Sequence, residues 1–80
     1  MKYTIALFGI TKEIVGSSST TLEVADMLTT DDLLALLRAE YPKLGAIRSL
    51  LLAVNNEYAE QGLALSERDE IALIPPVSGG

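Results

Sequence analysis

The sequence predicts an α+β domain in which a mixed sheet carries one main helix across one face. Three observations lead there. A single stretch, from Thr29 to Tyr41, keeps a helical apolar period for more than two turns. Short apolar segments of strand length flank it, two before and two or three after. The chain has 80 residues, of which 49% are hydrophobic, enough for one lean core and no second one.

The elements follow in chain order. Tyr3–Phe8 alternates, with Tyr3, Ile5 and Leu7 on one face of a strand and Thr4, Ala6 and Phe8 on the other. Thr11–Gly16 reads as one helical turn, with Thr11 as N-cap and Gly16 as its stop. Ser17–Thr20 is expected to be a mobile hydroxyl-rich loop, because these side chains compete for backbone hydrogen bonds. Thr21–Asp26 is expected as the second strand, antiparallel to the first. The helix starts at Thr29, whose spacing to Asp32 fits a capping box, and Leu33, Leu37 and Tyr41 form its apolar stripe. Pro42 disfavours helical geometry at Tyr41 and ends the element. Ser49–Val54 is a continuous apolar run suited to a central strand. Asn55-Asn56 supplies a turn, Glu57–Ala59 a short edge strand, Gln61-Gly62 and Ser66–Asp69 further turns, and Glu70–Ile74 the last strand. The order ββαββ is that of a β-grasp (ubiquitin-like) domain, and a ferredoxin-like fold would need a second long helix. The domain is assigned to residues 1–76, and residues 77–80 to a flexible tail.

Composition excludes much chemistry. The chain has no cysteine and no histidine, which removes thiolate metal sites, Ser-His and Cys-His nucleophile pairs and imidazole acid–base work. No metal site is expected. Six basic residues against eleven acidic ones give a net charge of −5, which argues against nucleic acid or an anionic membrane as partner and leaves room for a partner with a basic surface. No targeting or membrane-spanning segment is expected, so the default location is cytoplasmic. The adjacent acids Asp31/Asp32 and Asp69/Glu70 each sit where an element starts, a capping position, so the structural role outweighs a catalytic one. No glycine spacing matches a phosphate-binding loop.

The C-terminus carries the chemistry. Pro75-Pro76 favour an extended path that projects from the last strand. The four residues Val77–Gly80 reach about 13 Å at full extension. Gly79 and Gly80 have no Cβ, so a partner's tunnel can close tightly on both sides of the backbone. A carboxylate on a thin arm is what a carrier protein needs. The opposing reading is an inert tail of small residues, which is common at chain ends.

Taken together, Met1–Phe8, Lys12–Gly16, Leu51–Asn55, Asp69–Ala72 and above all Ile74-Pro75-Pro76-Val77-Ser78-Gly79-Gly80 resemble the MoaD/ThiS sulfur-carrier family, and within it the small subunits of molybdopterin synthase. The likeness covers nearly the full length. One departure is the turn before the last strand, Glu67-Arg68-Asp69-Glu70, where the family often has Asp-Gly or Gly-Asp.

The resemblance implies a cycle in which a ubiquitin-activating-like adenylyltransferase uses ATP to adenylate the Gly80 carboxylate. A sulfur donor protein then leaves a thiocarboxylate there. The large, catalytic subunit of the synthase takes up the tail and uses its sulfur to build molybdopterin from a pyranopterin precursor. Gly79 is the steric permit beside the reactive group. No tightly bound cofactor is implied for this chain. The resemblance also implies an apolar partner-binding face at Phe8, Tyr58 and Ile74, continued by Pro75, Pro76, Val77 and Ser78; the opposing reading is that Phe8, Tyr58 and Ile74 are ordinary core residues. Three alternatives stand beside this reading: a carrier for thiamine or tRNA thiolation, a protein conjugator, and a plain interaction module.

Overall fold

In the computed structural model, residues 1–75 are described. The elements are β1 (Lys2–Leu7), α1 (Ile10–Val15), β2 (Ser19–Glu23), α2 (Thr30–Glu40), α3 (Pro42–Gly45), β3 (Leu51–Val54), β4 (Glu57–Tyr58) and β5 (Ile71–Ile74). The five strands form one sheet in the order β2-β1-β5-β3-β4. The first and last strands lie parallel at its centre, Ile5 opposite Ile71 and Leu7 opposite Leu73, while the other pairings are antiparallel. This mixed sheet with α2 as its main helix is the β-grasp arrangement.

Period-two alternation sorts the strand residues cleanly. Tyr3, Ile5, Leu7, Leu52, Val54, Ile71 and Leu73 are buried on one face, where they form a single cluster with Leu33 and Leu37 of α2 and Leu44 of α3. Tyr3 is buried with its polar end satisfied: its hydroxyl donates to the Leu65 carbonyl at 2.8 Å and accepts from the Leu28 amide at 3.0 Å. That one ring ties β1 to the chain on both sides of α2. The capping box at Thr29 is formed as the spacing predicts, with Thr29 Oγ1 accepting from the Asp32 amide and the Asp32 carboxylate accepting from the Thr29 amide. Leu33 and Leu37 are buried and Tyr41 half-buried, so the expected stripe faces inward.

Several details differ from the sequence reading: β3 begins at Leu51, two residues later than expected, β4 ends at Tyr58 and β5 begins at Ile71. The second strand begins at Ser19, inside the run expected to be a loop, and ends at Glu23. Thr20 is held there because its Oγ1 lies 2.8 Å from the Tyr41 hydroxyl, a partner 21 residues away that local propensity cannot see. The N-cap of α1 is Gly9; Thr11 is buried inside the helix, and its hydroxyl donates to the Phe8 carbonyl and accepts from the Phe8 amide. Pro42 both follows α2 and starts α3, in the N-terminal position where a missing amide costs nothing. The short helix α3 buries Leu44, and Arg38 spans its end by donating to the carbonyl of Ile47 at 2.8 Å.

Candidate functional site

The opposite face of the sheet has no helix among the described residues. In β1 and just beyond it, this face presents Thr4, Ala6 and Phe8. From β5 come Ala72 and Ile74, from β3 Leu51 and Ala53, and from β4 Tyr58. Register brings the apolar members together: Ala6 lies opposite Ala72, Ala72 opposite Ala53, Ala53 opposite Tyr58 and Ile74 opposite Leu51. Small alanines at the centre with large side chains at the rim make a shallow depression of about 320 Å³, lined by Phe8, Ala53, Asn56, Tyr58, Ala72 and Ile74. Phe8 is 51% exposed, Tyr58 69% and Leu51 52%, whereas Ile74 is half-buried.

Local structure fixes the two aromatic rims. Asn55 and Asn56 both have positive φ, 53° and 69°, so a two-residue turn places Glu57 opposite Val54 and Tyr58 opposite Ala53. Asn55 is clamped to the loop before β5, since its side-chain amide donates to Asp69 Oδ1 at 3.1 Å and its Oδ1 accepts from the Glu70 amide at 3.0 Å. The other Asp69 oxygen accepts from the Ser66 amide at 2.8 Å. Asp69 therefore closes its turn with a side chain, without a glycine, and its carboxylate is structural. Phe8 is held by the paired hydrogen bonds to Thr11 already described.

The exit from β5 is built against the same end of the sheet. Gly9, beside Phe8, has φ +56° and ψ −133°, a conformation open essentially to glycine alone. A Cβ there would stand 3.1 Å from Pro75 Cγ. Gly9 thus provides both the turn that ends β1 and the space in which Pro75 sits. This contact is invisible in the sequence because the two residues are far apart in the chain. Leu51 is likewise hidden inside a continuous apolar run; its spacing of two from Ala53 is the available signal.

The structure brings Phe8, Tyr58 and Ile74 onto one face and seats Pro75 at its edge. Pro76, Val77, Ser78, Gly79 and Gly80 lie outside the described residues. Among the described residues no group of three His, Cys, Asp or Glu side chains could hold a metal ion, and no helix is long and apolar enough to cross a membrane.

Topology and site together define a ubiquitin-like β-grasp domain with an uncovered apolar face beside its last strand. The chain belongs to the ThiS family, whose sequence profile matches residues 5–80. It is 36% identical over 83 residues to the molybdopterin synthase sulfur carrier subunit of Chlamydomonas reinhardtii, with all of both chains covered. The crystal structure of SAMP1 from Haloferax volcanii superimposes with a TM-score of 0.82 at 30% identity, again over the whole of both chains. One chain of a complex of subunits 1 and 2 of molybdopterin-converting factor from Helicobacter pylori 26695 matches with a TM-score of 0.67 over all of both chains; at 22% identity this likeness speaks for the fold.

Proposed function

We propose that this chain is the sulfur-carrier subunit of a molybdopterin synthase. The observation that carries the reading is a conjunction: an exposed apolar face around Phe8 and Tyr58 adjoins the exit of β5, and the sequence beyond that exit ends in Gly79-Gly80. Full-length similarity to sulfur carrier subunits supports it. The fold of the Helicobacter pylori complex, which holds subunits 1 and 2 together, supports a large-subunit partner.

In this reading the domain recognises and the tail reacts. A carboxylate is a poor electrophile, so the Gly80 carboxylate attacks the α-phosphate of ATP on an adenylating partner and releases pyrophosphate. Sulfide released by a donor protein attacks the acyl-adenylate carbonyl, AMP leaves, and a thiocarboxylate remains. The large subunit then receives the tail and transfers its sulfur to the pyranopterin precursor. All catalytic side chains belong to the partners, in keeping with a chain without histidine or cysteine. Phe8, Tyr58 and Ile74 dock on the large subunit, with aromatic anchors at the rim of an apolar patch. Pro75, Pro76, Val77 and Ser78 lead the tail into its channel. The reaction takes place in the cytoplasm.

Intact mass spectrometry tests the chemistry. Incubation with ATP, the adenylating partner and a sulfur donor should replace one oxygen of the C-terminus by sulfur, and addition of the large subunit with precursor should reverse the shift. Gly79→Ala should fold normally yet slow this exchange by about 10-fold or more, because its methyl meets the channel wall. A terminus that never gains sulfur would refute the proposal.

A further inference from the structure

The sheet has a second feature that the sulfur-carrier reading does not use. Among the described residues strand β2 is an edge, paired only with β1. The Leu7 amide donates to the Ser18 carbonyl at 2.9 Å, and the Val24 amide to the Met1 carbonyl at 2.8 Å, so the hydrogen-bonded pairs with β1 fall at 18, 20, 22 and 24. The amides and carbonyls of Ser19, Thr21 and Glu23 therefore point away from the sheet. Of these groups only the Ser19 amide has a partner among the described residues, a long 3.4 Å contact to Ser17 Oγ.

Proteins commonly blunt such an edge with charged side chains, lysine above all, with proline or with a bulge. Ser19-Thr20-Thr21-Leu22-Glu23 has no lysine, no proline and a continuous register, and its single charge, Glu23, stands at the end of the strand. The edge is also held in place, because Thr20 is tethered to Tyr41 and Met1 and Leu7 flank both ends of the β1 ladder. It is five residues long, against two for the opposite edge strand β4.

We propose that this edge pairs with the same edge of a second copy of the chain, antiparallel about a two-fold axis at Thr21. The register follows from the outward groups. Thr21 meets Thr21 of the second copy, and Ser19 of each copy meets Glu23 of the other, so all three outward residues are satisfied with about six hydrogen bonds. Charge fits this register. Each Glu23 faces a serine and has Lys2 opposite it in its own sheet, while the two Glu23 residues stand roughly 13 Å apart, beyond the Debye length at physiological salt. Threonine opposite threonine is a favourable cross-strand pair. Joining the edges extends each five-stranded sheet into one continuous sheet and leaves the apolar face at Phe8 and Tyr58 uncovered, away from the axis. With so little surface joined, the dimer is weak and governed by concentration.

Sedimentation of the full chain between about 10 μM and 1 mM reads the association. The weight-average mass should rise from the monomer's 8.6 kDa toward twice that value. Thr21→Pro should abolish the rise, since it deletes an outward amide and no bond to β1, and the far-UV circular dichroism should be retained. Should that variant not fold, Thr21→Lys sets like charges together on the axis and should give the same loss. Because the chain has no cysteine, Thr21→Cys provides a direct readout. Residues in a hydrogen-bonded pair stand about 5.5 Å apart, within disulfide range, so mild oxidation should cross-link Thr21→Cys at least about 10-fold faster than the exposed control Glu40→Cys. A mass fixed at the monomer value, association that survives Thr21→Lys, or equal cross-linking of the two cysteine variants would overturn the proposal. A monomer whose edge captures an extended segment of another protein would give that first result.

Discussion

The two faces of one sheet are built from the same strands and differ in what covers them. On the covered face, Ile5, Leu7, Ile71 and Leu73 join the cluster under α2 and are almost wholly buried. On the open face, Phe8, Leu51 and Tyr58 are also large and apolar, and each is more than half exposed. Folding accounts for the first set, because burying a large apolar side chain stabilises by about 1.5–3 kcal/mol. It does not account for the second, whose apolar surface stays in water in the isolated chain. Adjacent residues of a strand can thus serve the fold and a partner separately, and substitutions on the two faces should have different consequences.

The largest expected effect is on the covered face. Leu73→Ala leaves a cavity at the centre of the sheet and should cost about 2–5 kcal/mol, a large share of the total stability of a domain this small. Chemical denaturation checks it, and a loss below about 1 kcal/mol would mean that the core is looser than its burial implies.

Next comes the boundary between the faces. Gly9→Ala combines a strained positive φ with the close approach to Pro75 and should destabilise by about 1–3 kcal/mol. The nearby Gly16 also has a positive φ but nothing within 4 Å of a Cβ, so Gly16→Ala reports backbone strain alone. Because the Gly9 backbone (ψ −133°) is also less tolerant of a Cβ than the left-handed Gly16 (ψ 19°), the Pro75 contact is isolated by repeating Gly9→Ala in a Pro75→Ala background. A smaller loss there, read from thermal melts, would assign the difference to the contact, and an unchanged loss would remove it.

The smallest effect on stability is expected on the open face. The double variant Phe8→Ser, Tyr58→Ser should shift unfolding by no more than about 0.5 kcal/mol per site, as for other exposed positions. Its affinity for the large subunit should nonetheless fall by about 10–100-fold, since truncating an aromatic anchor typically costs more than about 1 kcal/mol of binding. Calorimetry on both properties sharpens the contrast; a variant that unfolds readily but binds normally would invert it.

Sequence made the covered face legible because each signal was local or periodic. Tyr3, Ile5 and Leu7 alternate, Leu33 and Leu37 are one helical turn apart, and Thr29 and Asp32 have capping-box spacing. What it could not supply were contacts across long stretches of chain. Thr20 enters a strand through Tyr41, Gly9 makes room for Pro75, and Asn55 is fixed by Asp69. Pro42 was read only as a helix stop, whereas the same ring ends one helix and opens the next. On the open face, Phe8, Tyr58 and Ile74 follow from a resemblance, and their proximity became visible only with the strand register; Leu51, whose spacing of two from Ala53 is masked by a continuous apolar run, joined them through that register.

The central claim is that the open face meets the large subunit while the covered face and α2 hold the fold. Titrating isotopically labelled chain with the large subunit, followed by amide and methyl nuclear magnetic resonance, tests it without any substitution. The account predicts that the strongest changes fall at Phe8, Leu51, Ala53, Tyr58, Ala72 and Ile74, with the exposed side of α2 at Asp31, Ala35 and Ala39 unaffected. Changes concentrated on that side of α2, with the sheet face silent, would contradict it.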